Sequence, residues 1–409
     1  MTDGAHIGAA GEGQLAGLRL FLVLGGVTVI GPASMDIYLP GLPALARDFG
    51  AAPSAAQLTL TTFLIGLALG QFLAGPLSDV HGRRRPLIAG MALFTIATLI
   101  CSLAPNLYAL AAMRFVQGTM AAAGLAIGRA VVRDLYAGAA AARYLSRLML
   151  VVGLGPILAP LLGGQILRFS SWRGVFVGLA VLGLTLTLMA ARLLPETLSP
   201  DRRRAAGIGV TGRTFAALLA TRRFVGFILV AGLSGGALTG YIAGSSFVLE
   251  DVYGASPQLY GVLFAISAVF MVIGAQINAH LLHRRSPHRL LGFGLTTLVV
   301  AAIALAAVVP FRGAGLAAVM PPLVVLFFSW SFIQSNTIAL ALTDHPHVAG
   351  TAAALLGVTQ FAFAAVVAPL AGIGGSETAI PMVAVIMTCG IGAVLAFLTL
   401  VPANGPSRR

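Results

Sequence analysis

Twelve times along this 409-residue chain, a run of about twenty residues passes with almost no charge. A helix that crosses a bilayer needs about 20 mostly apolar residues. Lipid offers the backbone no hydrogen-bond partners, so such runs must be helices or strands of a closed barrel. Their length and their lack of strict alternation exclude the barrel. The runs fall at about 18–40, 56–78, 86–104, 106–128, 147–167, 173–193, 223–249, 258–282, 289–310, 314–342, 350–372 and 379–401. Composition points the same way. Charged residues make up 9% and mean hydropathy is +0.96, whereas a soluble domain carries roughly a quarter charged residues. The expected fold class is an all-α membrane protein of twelve transmembrane helices. The polar, Gly-rich start before the first run shows no cleavage site, so that run is expected to be retained as a helix.

The net charge is +13, and every basic residue is an arginine. Without lysine there is no Gly-x-x-x-x-Gly-Lys phosphate loop, so ATP is not expected as a motor. Nucleic acid is not expected as a partner either, because the arginines occupy short connections between apolar runs. An even number of spans puts both termini on one side. That side collects twenty arginines, including Arg83–Arg85, Arg129, Arg133, Arg143, Arg147, the stretch Arg192–Arg223, Arg284, Arg285 and Arg289. The other side holds Arg47, Arg168, Arg173 and Arg312. The positive-inside rule predicts that both termini are cytoplasmic. Cys101 and Cys389 lie in separate spans with no disulfide framework and no metal spacing, so no metal or other cofactor is expected.

The longest connection, about Leu194 to Arg223, contains Pro195, Pro200 and the charge run Asp201–Arg204. It divides the chain into six spans plus six. The expected organisation is an N-terminal bundle over residues 1–194, a cytoplasmic linker over 195–222 and a C-terminal bundle over 223–409.

Most acidic residues fall in loops or at helix ends. Asp36 does not: it sits in Ser34-Met35-Asp36-Ile37-Tyr38-Leu39-Pro40, toward the outer end of the first span. Arg114 is the one basic residue well inside a span, the fourth. An ionised group in the bilayer interior costs roughly 2.5 to 3.5 kcal/mol even on the lenient insertion scale, so each must face a polar cavity or a partner. The first span runs outward and the fourth inward, which places both charges in the outer half, where one cavity can hold both. Burial favours a neutral acid and a nearby cation favours the carboxylate, so a change in water access or in the distance to Arg114 moves a proton on or off Asp36. The alternative reading has Asp36 permanently ionised, capping a helix end before Pro40. For Arg114, a structural hydrogen-bond hub and a coupling role are compatible.

Between the second and third spans the chain reads Gly75-Pro76-Leu77-Ser78-Asp79-Val80-His81-Gly82-Arg83-Arg84-Arg85. This resembles the loop signature Gly-x-Leu-x-Asp-x-x-Gly-Arg-Arg of the major facilitator superfamily, matched at Gly75, Leu77, Asp79, Gly82, Arg83 and Arg84. The resemblance implies the major facilitator fold, two six-helix bundles related by a parallel repeat. It also implies a charge lock that closes the cytoplasmic side, with Asp79 facing the positive N-terminal end of the eleventh helix near Gly350. The equivalent loop of the second half, His283-Arg284-Arg285, lacks the acid. The fifth span contains Gly153-Leu154-Gly155-Pro156-Ile157-Leu158-Ala159-Pro160-Leu161-Leu162-Gly163-Gly164. It is similar to the antiporter signature of that superfamily, with two extra residues between Pro156 and the glycine pair. Gly155, Ala159 and Gly163 form a small-residue stripe that admits a close neighbour. Pro156 and Pro160 bend the helix.

Further segments resemble the bicyclomycin-resistance (Bcr/CflA) branch: Met35–Pro40, Gln57-Leu58-Thr59-Leu60, Gly70-Gln71, Arg133-Asp134-Leu135-Tyr136, Pro195-Glu196-Thr197-Leu198 and Pro346–Ala352. Together they span nearly the whole chain. The branch implies a monomeric, multi-pass protein of the bacterial inner membrane that exports antibiotics such as phenicols or bicyclomycin by alternating access. Its partners are the small molecule, protons and the lipid bilayer, and its coupling pair maps to Asp36 and Arg114. Export or symport of a natural metabolite such as a nucleoside is the alternative. A membrane-embedded enzyme would need a polar cluster or a His-Glu-x-x-His pattern, and the sequence has none. Further candidates for the substrate cavity are Tyr38, Gln117, Tyr241, Phe247, Asn336 and Gln360, each with ordinary helix packing as its plainer reading.

Overall fold

The computed structural model describes residues 4–203, 215–310, 315–345, 348–375 and 377–402. Much of the expected linker, together with Arg204, Arg312, Pro346, His347, Arg408 and Arg409, lies outside the described residues. Among the described residues, twelve helices are long and apolar enough to cross a membrane: α1 over Leu18–Asp48, α2 over Pro53–His81, α3 over Arg84–Ser102, α4 over Leu107–Leu135, α5 over Arg143–Ile166, α6 over Trp172–Leu193, α7 over Arg222–Val252, α8 over Pro257–Leu281, α9 over Pro287–Val308, α10 over Gly315–Thr343, α11 over Gly350–Gly372 and α12 over Ile380–Leu400. Each matches one of the expected runs. Several extend further, because an α-helix keeps its hydrogen bonds for a turn or two beyond the apolar stretch.

Local sequence sets the helix starts. Asn106 accepts a hydrogen bond from the Ala109 N–H at the head of α4. Ser256 and Ser286 do the same for Leu259 and Arg289, each followed by a proline at the first helical position. These are the caps and the proline placement that helix N-termini favour. Prolines inside spans mark irregular helices. Pro32 lies in α1, Pro76 in α2, and Pro156 and Pro160 in α5.

The ends of α1 and α7 depart most from regular helix. The α-helical part of α1 stops at Asp36 and gives way to a tight turn at Leu39–Gly41, then a short helix at Leu42–Asp48. Pro40 and Pro43 have no N–H to continue the ladder, which accounts for the break. α7 ends in a π-helical turn, Phe247–Val252, a local widening that recurs at functional sites.

The helices pack in two halves. In the first half α2 lies along α4 and α3 along α6; in the second, α8 lies along α10 and α9 along α12. The halves meet where α5 packs on α8 and α2 on α11. The hydrogen bonds across this seam gather toward the arginine-poor end. There Gln57 Nε2 donates to the Ala243 carbonyl at 2.8 Å, Thr61 Oγ1 to the Ala365 carbonyl at 3.1 Å and Gln258 Nε2 to the Gly164 carbonyl at 3.0 Å. Arg47 of α1 pairs with Asp251 of α7 at 3.0 Å. On the arginine-rich side, by contrast, the ion pairs among the described residues stay within one half. The seam is therefore fastened at the arginine-poor end.

Candidate functional site

Arg114 is fully buried in the centre of the first half. No carboxylate among the described residues pairs with it. Its Nη1 instead donates to Gln117 Oε1 at 2.6 Å and to the Ser34 carbonyl at 3.2 Å, and its Nε reaches the Thr59 carbonyl at 3.4 Å. Gln117 passes the contact on, donating from Nε2 to Thr98 at 2.7 Å. Aromatic rings cover the rest of the guanidinium, with its carbon 4.4 Å from the centre of Tyr38 and 4.2 Å from that of Phe63. A cation over ring faces gains up to about 2 kcal/mol or more when desolvated. Nη2 remains buried without a hydrogen-bond partner among the described residues. Tyr38 and Gln117 thus form the bed of Arg114. The Tyr38 hydroxyl in turn meets Thr59 Oγ1 at 3.3 Å.

Asp36 is 4% exposed and makes no hydrogen bond or ion pair with the described residues. It stands two residues from Ser34, whose carbonyl receives Arg114, and at the last turn of regular helix in α1. The turn that follows, Leu39–Gly41, packs against both α7 and α8. Asp36 therefore sits at the seam between the halves, two residues along α1 from the carbonyl that receives Arg114.

α5 holds this end of α1 in place. A methyl group at Gly163 would fall inside the van der Waals radius of the Ile37 carbonyl oxygen, so α5 and α1 touch backbone to backbone one residue from Asp36. Gly155 meets Val29 on the same α1 face. Gly164 faces the other way: a methyl there would lie 2.8 Å from the Pro257 carbonyl at the head of α8. The same bend brings the Pro160 carbonyl against Gly261 of α8. Adjacent glycines thus bind α5 to its own half and to the opposite half.

The loop after α2 forms a second polar centre. The Arg83 guanidinium donates to Asp79 at 2.6 Å, to Asp134 at the end of α4 at 2.9 Å and to Ser78 at 2.7 Å. The Arg83 and Arg84 N–H groups both donate to the Glu196 carboxylate, at 2.8 and 3.2 Å, and Arg84 Nη2 reaches the Ala191 carbonyl at 2.6 Å. Gly82 makes the turn possible. Its φ is +86°, and a Cβ there would lie 2.4 Å from a Glu196 oxygen. Burial acts to raise the Glu196 pKa, but the backbone N–H groups of Arg83, Leu198, Arg84 and Thr197 hold it below the usual carboxylate range. Burial also acts to lower Arg83, and hydrogen bonds to Asp134 and Asp79 outweigh it, leaving Arg83 raised. Asp79 is half-exposed and its ion-pair partner among the described residues is Arg83, four residues on, rather than α11. Gly75 of α2 and Gly350 of α11 both border open space.

The candidates of the second half lie apart from Arg114. Tyr241 is fully buried, its ring stacked 5.9 Å from Phe264 and edge-on to Phe327 at 5.2 Å. Asn336 donates to Asn278 at 2.7 Å and to the Phe332 carbonyl at 2.8 Å, which joins α10 to α8. Gln360 of α11 is half-buried and accepts from Gln334 of α10 at 3.1 Å. Phe247 opens the π-helical turn and borders a cleft of about 640 Å³ at the arginine-poor end, alongside Arg47 and Asp251.

Sequence reasoning missed Asp134 and Glu196 as partners of the loop arginines, and Phe63, Thr98 and the Thr59 carbonyl around Arg114. Asp134 lies in the last turn of α4 and Glu196 three residues past α6, where an acid amid arginines is a usable signal. Nothing in the sequence marks a ring or a carbonyl as a cation's partner.

A family profile described as Major Facilitator Superfamily matches residues 24–369. The chain is 36% identical to the uncharacterized MFS-type transporter YdgK of Bacillus subtilis, over 94% of this chain and 95% of that one. It is 29% identical to a bicyclomycin resistance protein homolog of Haemophilus influenzae, over 95% and 97%. Among solved structures it superposes on the nucleoside transporter NupG with a TM-score of 0.76 at 14% identity, covering 95% of this chain and all of that one.

Proposed function

The chain belongs to the Major Facilitator Superfamily, in its bicyclomycin-resistance branch, and from that premise we propose that it exports small drug-like molecules in exchange for protons. The observation that carries the reading is Asp36: an acid buried at the seam, one residue from the α1–α5 backbone contact and two from the Ser34 carbonyl that holds a guanidinium with one open donor. A group so placed gains or loses its proton according to which side of the bilayer reaches it. In the proposed cycle, residues 1–194 and 223–409 rock as two bundles about the seam, joined by the 195–222 linker. Protonation of Asp36 from the arginine-poor side releases the cargo and favours return. The proton leaves toward the arginine-rich side, and the freed carboxylate can then swing toward Arg114 Nη2. A membrane potential supplies roughly 2.3 kcal/mol per charge per 100 mV, enough for tens-fold accumulation.

The loop centre around Arg83 serves as the gate on the arginine-rich side. In this reading that side is the cytoplasm, both termini lie there, and the protein works as a monomer in the bacterial inner membrane. The positive-inside asymmetry supports that orientation. The cargo class rests on the Haemophilus relative's name and on the branch signatures. Phenicols and bicyclomycin are the first compounds to try.

The test is export driven by an imposed pH gradient in membrane vesicles, comparing wild type with Asp36→Asn. The variant is expected to lose gradient-driven export while still binding cargo. Export at the native rate by Asp36→Asn overturns the coupling assignment. A drug-susceptibility panel on an expressing strain tests the cargo. Unchanged tolerance alongside release of a nucleoside-like metabolite overturns the drug assignment.

A further inference from the structure

A second site lies away from the seam, on the membrane-facing flank of α1 and α5. A groove of about 470 Å³ is bordered by Leu18 and Phe21 of α1, Tyr136 and Ala140 of the α4–α5 connection, and Arg143, Tyr144 and Arg147 of α5. Its floor is aromatic. The Tyr136 and Tyr144 rings stack at 4.9 Å, and Phe21 meets Tyr144 edge-on at 5.8 Å. Arg143 and Arg147, four residues apart, share one helix face. Both are exposed, and neither makes a hydrogen bond or ion pair with the described residues. Among the described residues, no carboxylate borders the groove. The Tyr144 hydroxyl is buried and has no hydrogen-bond partner among the described residues. In a native fold such a group calls for a missing partner.

Below the groove the same face of α5 turns apolar. Leu150, Leu154, Leu158 and Leu162 follow at intervals of four residues and are each about half exposed. α1 and α8 cover the other faces of α5 through its glycines, so this leucine ridge faces the bilayer.

We propose that this groove binds the phosphodiester headgroup of an anionic phospholipid, with one acyl chain lying along the Leu150–Leu162 ridge. The two guanidiniums take the phosphate oxygens, for which their planar donors are suited. The Tyr144 hydroxyl supplies a further donor. The apolar ridge beneath is what separates a lipid from a soluble phosphate. Basic pockets between helices at this depth are built for such headgroups.

The test uses the full chain in detergent and counts retained lipid by native mass spectrometry. The probes are phosphatidylglycerol, phosphatidylcholine and inorganic phosphate. Wild type is expected to retain phosphatidylglycerol over phosphatidylcholine by roughly tenfold or more, given two arginines at the headgroup. Arg143→Gln with Arg147→Gln should bring that ratio to within about twofold, and Tyr144→Phe should lower it in part. Arg284→Gln with Arg285→Gln removes the same charge from another loop and should leave the ratio intact. An unchanged ratio in both the arginine pair and Tyr144→Phe overturns the site. So does an equal loss in the Arg284 and Arg285 pair, which would mean general surface charge. Displacement of phosphatidylglycerol by millimolar inorganic phosphate would make the ligand a soluble phosphate and overturn the lipid assignment.

Discussion

Two arginines are buried in the first half of this protein, and their surroundings are opposite. Arg83 lies at the end of the loop after α2 with two carboxylates and a serine hydroxyl on its guanidinium. Arg114 lies deep in α4 with carbonyls, an amide and aromatic rings, and no acid among the described residues pairs with it. Both satisfy most of their donors. Only Arg83 has its charge cancelled. A cancelled charge fixes a joint, because moving it away from its partners leaves several groups stranded at once. An uncancelled one is held by dipoles and ring faces and keeps its attraction for an anion that arrives later. The difference suits Arg83 to a fastening role and Arg114 to the exchange proposed for Asp36.

The largest expected effect comes from Arg114. Arg114→Lys keeps the charge but cannot span the Ser34 and Thr59 carbonyls and Gln117 with one ammonium. Vesicle export should fall by roughly tenfold or more, since a loss of about 1.4 kcal/mol of coupling is already tenfold, while the purified variant keeps a monodisperse elution profile. Native export by Arg114→Lys would show that any cation serves and would erase the contrast.

Arg83→Met should act mainly on stability. It strands Asp134, which is nearly buried, and half-exposed Asp79. Breaking a buried pair costs about 3 to 5 kcal/mol, and the exposure of Asp79 reduces that to about 2 kcal/mol here. A fall of several degrees in the melting temperature is expected. Melting as wild type would mean the clamp fastens nothing.

The smallest effect concerns Glu196. Its pKa is held below the usual range by the backbone N–H groups of Arg83, Leu198, Arg84 and Thr197. A depressed acid contributes stability above its unfolded value, about 4.3 for glutamate, and loses it as the pH falls through the folded value. Glu196→Gln should therefore melt slightly below wild type at pH 7, and the gap should close on acidification below about pH 4. A gap that persists at low pH would assign the effect to packing rather than charge.

The twelve spans were legible because lipid imposes a length and a composition that few other contexts require. Asp36 and Arg114 stood out for the same reason, as single charges where charge is costly. Their relation was not legible. The sequence places both in the outer half of their spans, but a guanidinium bedded on Tyr38 and Phe63 leaves no pairing signature. Among the described residues, Asp79 does not make the expected contact with α11. Four-residue spacing puts Asp79 beside Arg83, and the seam is fastened at the other end. Gln117, one turn from Arg114 on the same helix face, and Tyr38 are cavity candidates on the sequence, and both support the Arg114 guanidinium. Asn336 spends its amide on Asn278 of α8, a bond between helices that spacing alone does not announce.

Gly163 and Gly164 make α5 a lever with its fulcrum near one end. The arginine-rich end of the span, Arg143, lies 21 residues from Gly164, or roughly 31 Å along a helix that rises 1.5 Å per residue. Each roughly 10° of tilt about the glycine pair carries that far end through roughly 5 Å at this arm length. In the rocking proposed above, a displacement small at the Ile37 and Pro257 contacts thus becomes, at the opposite membrane face, an opening wide enough for a molecule of modest size.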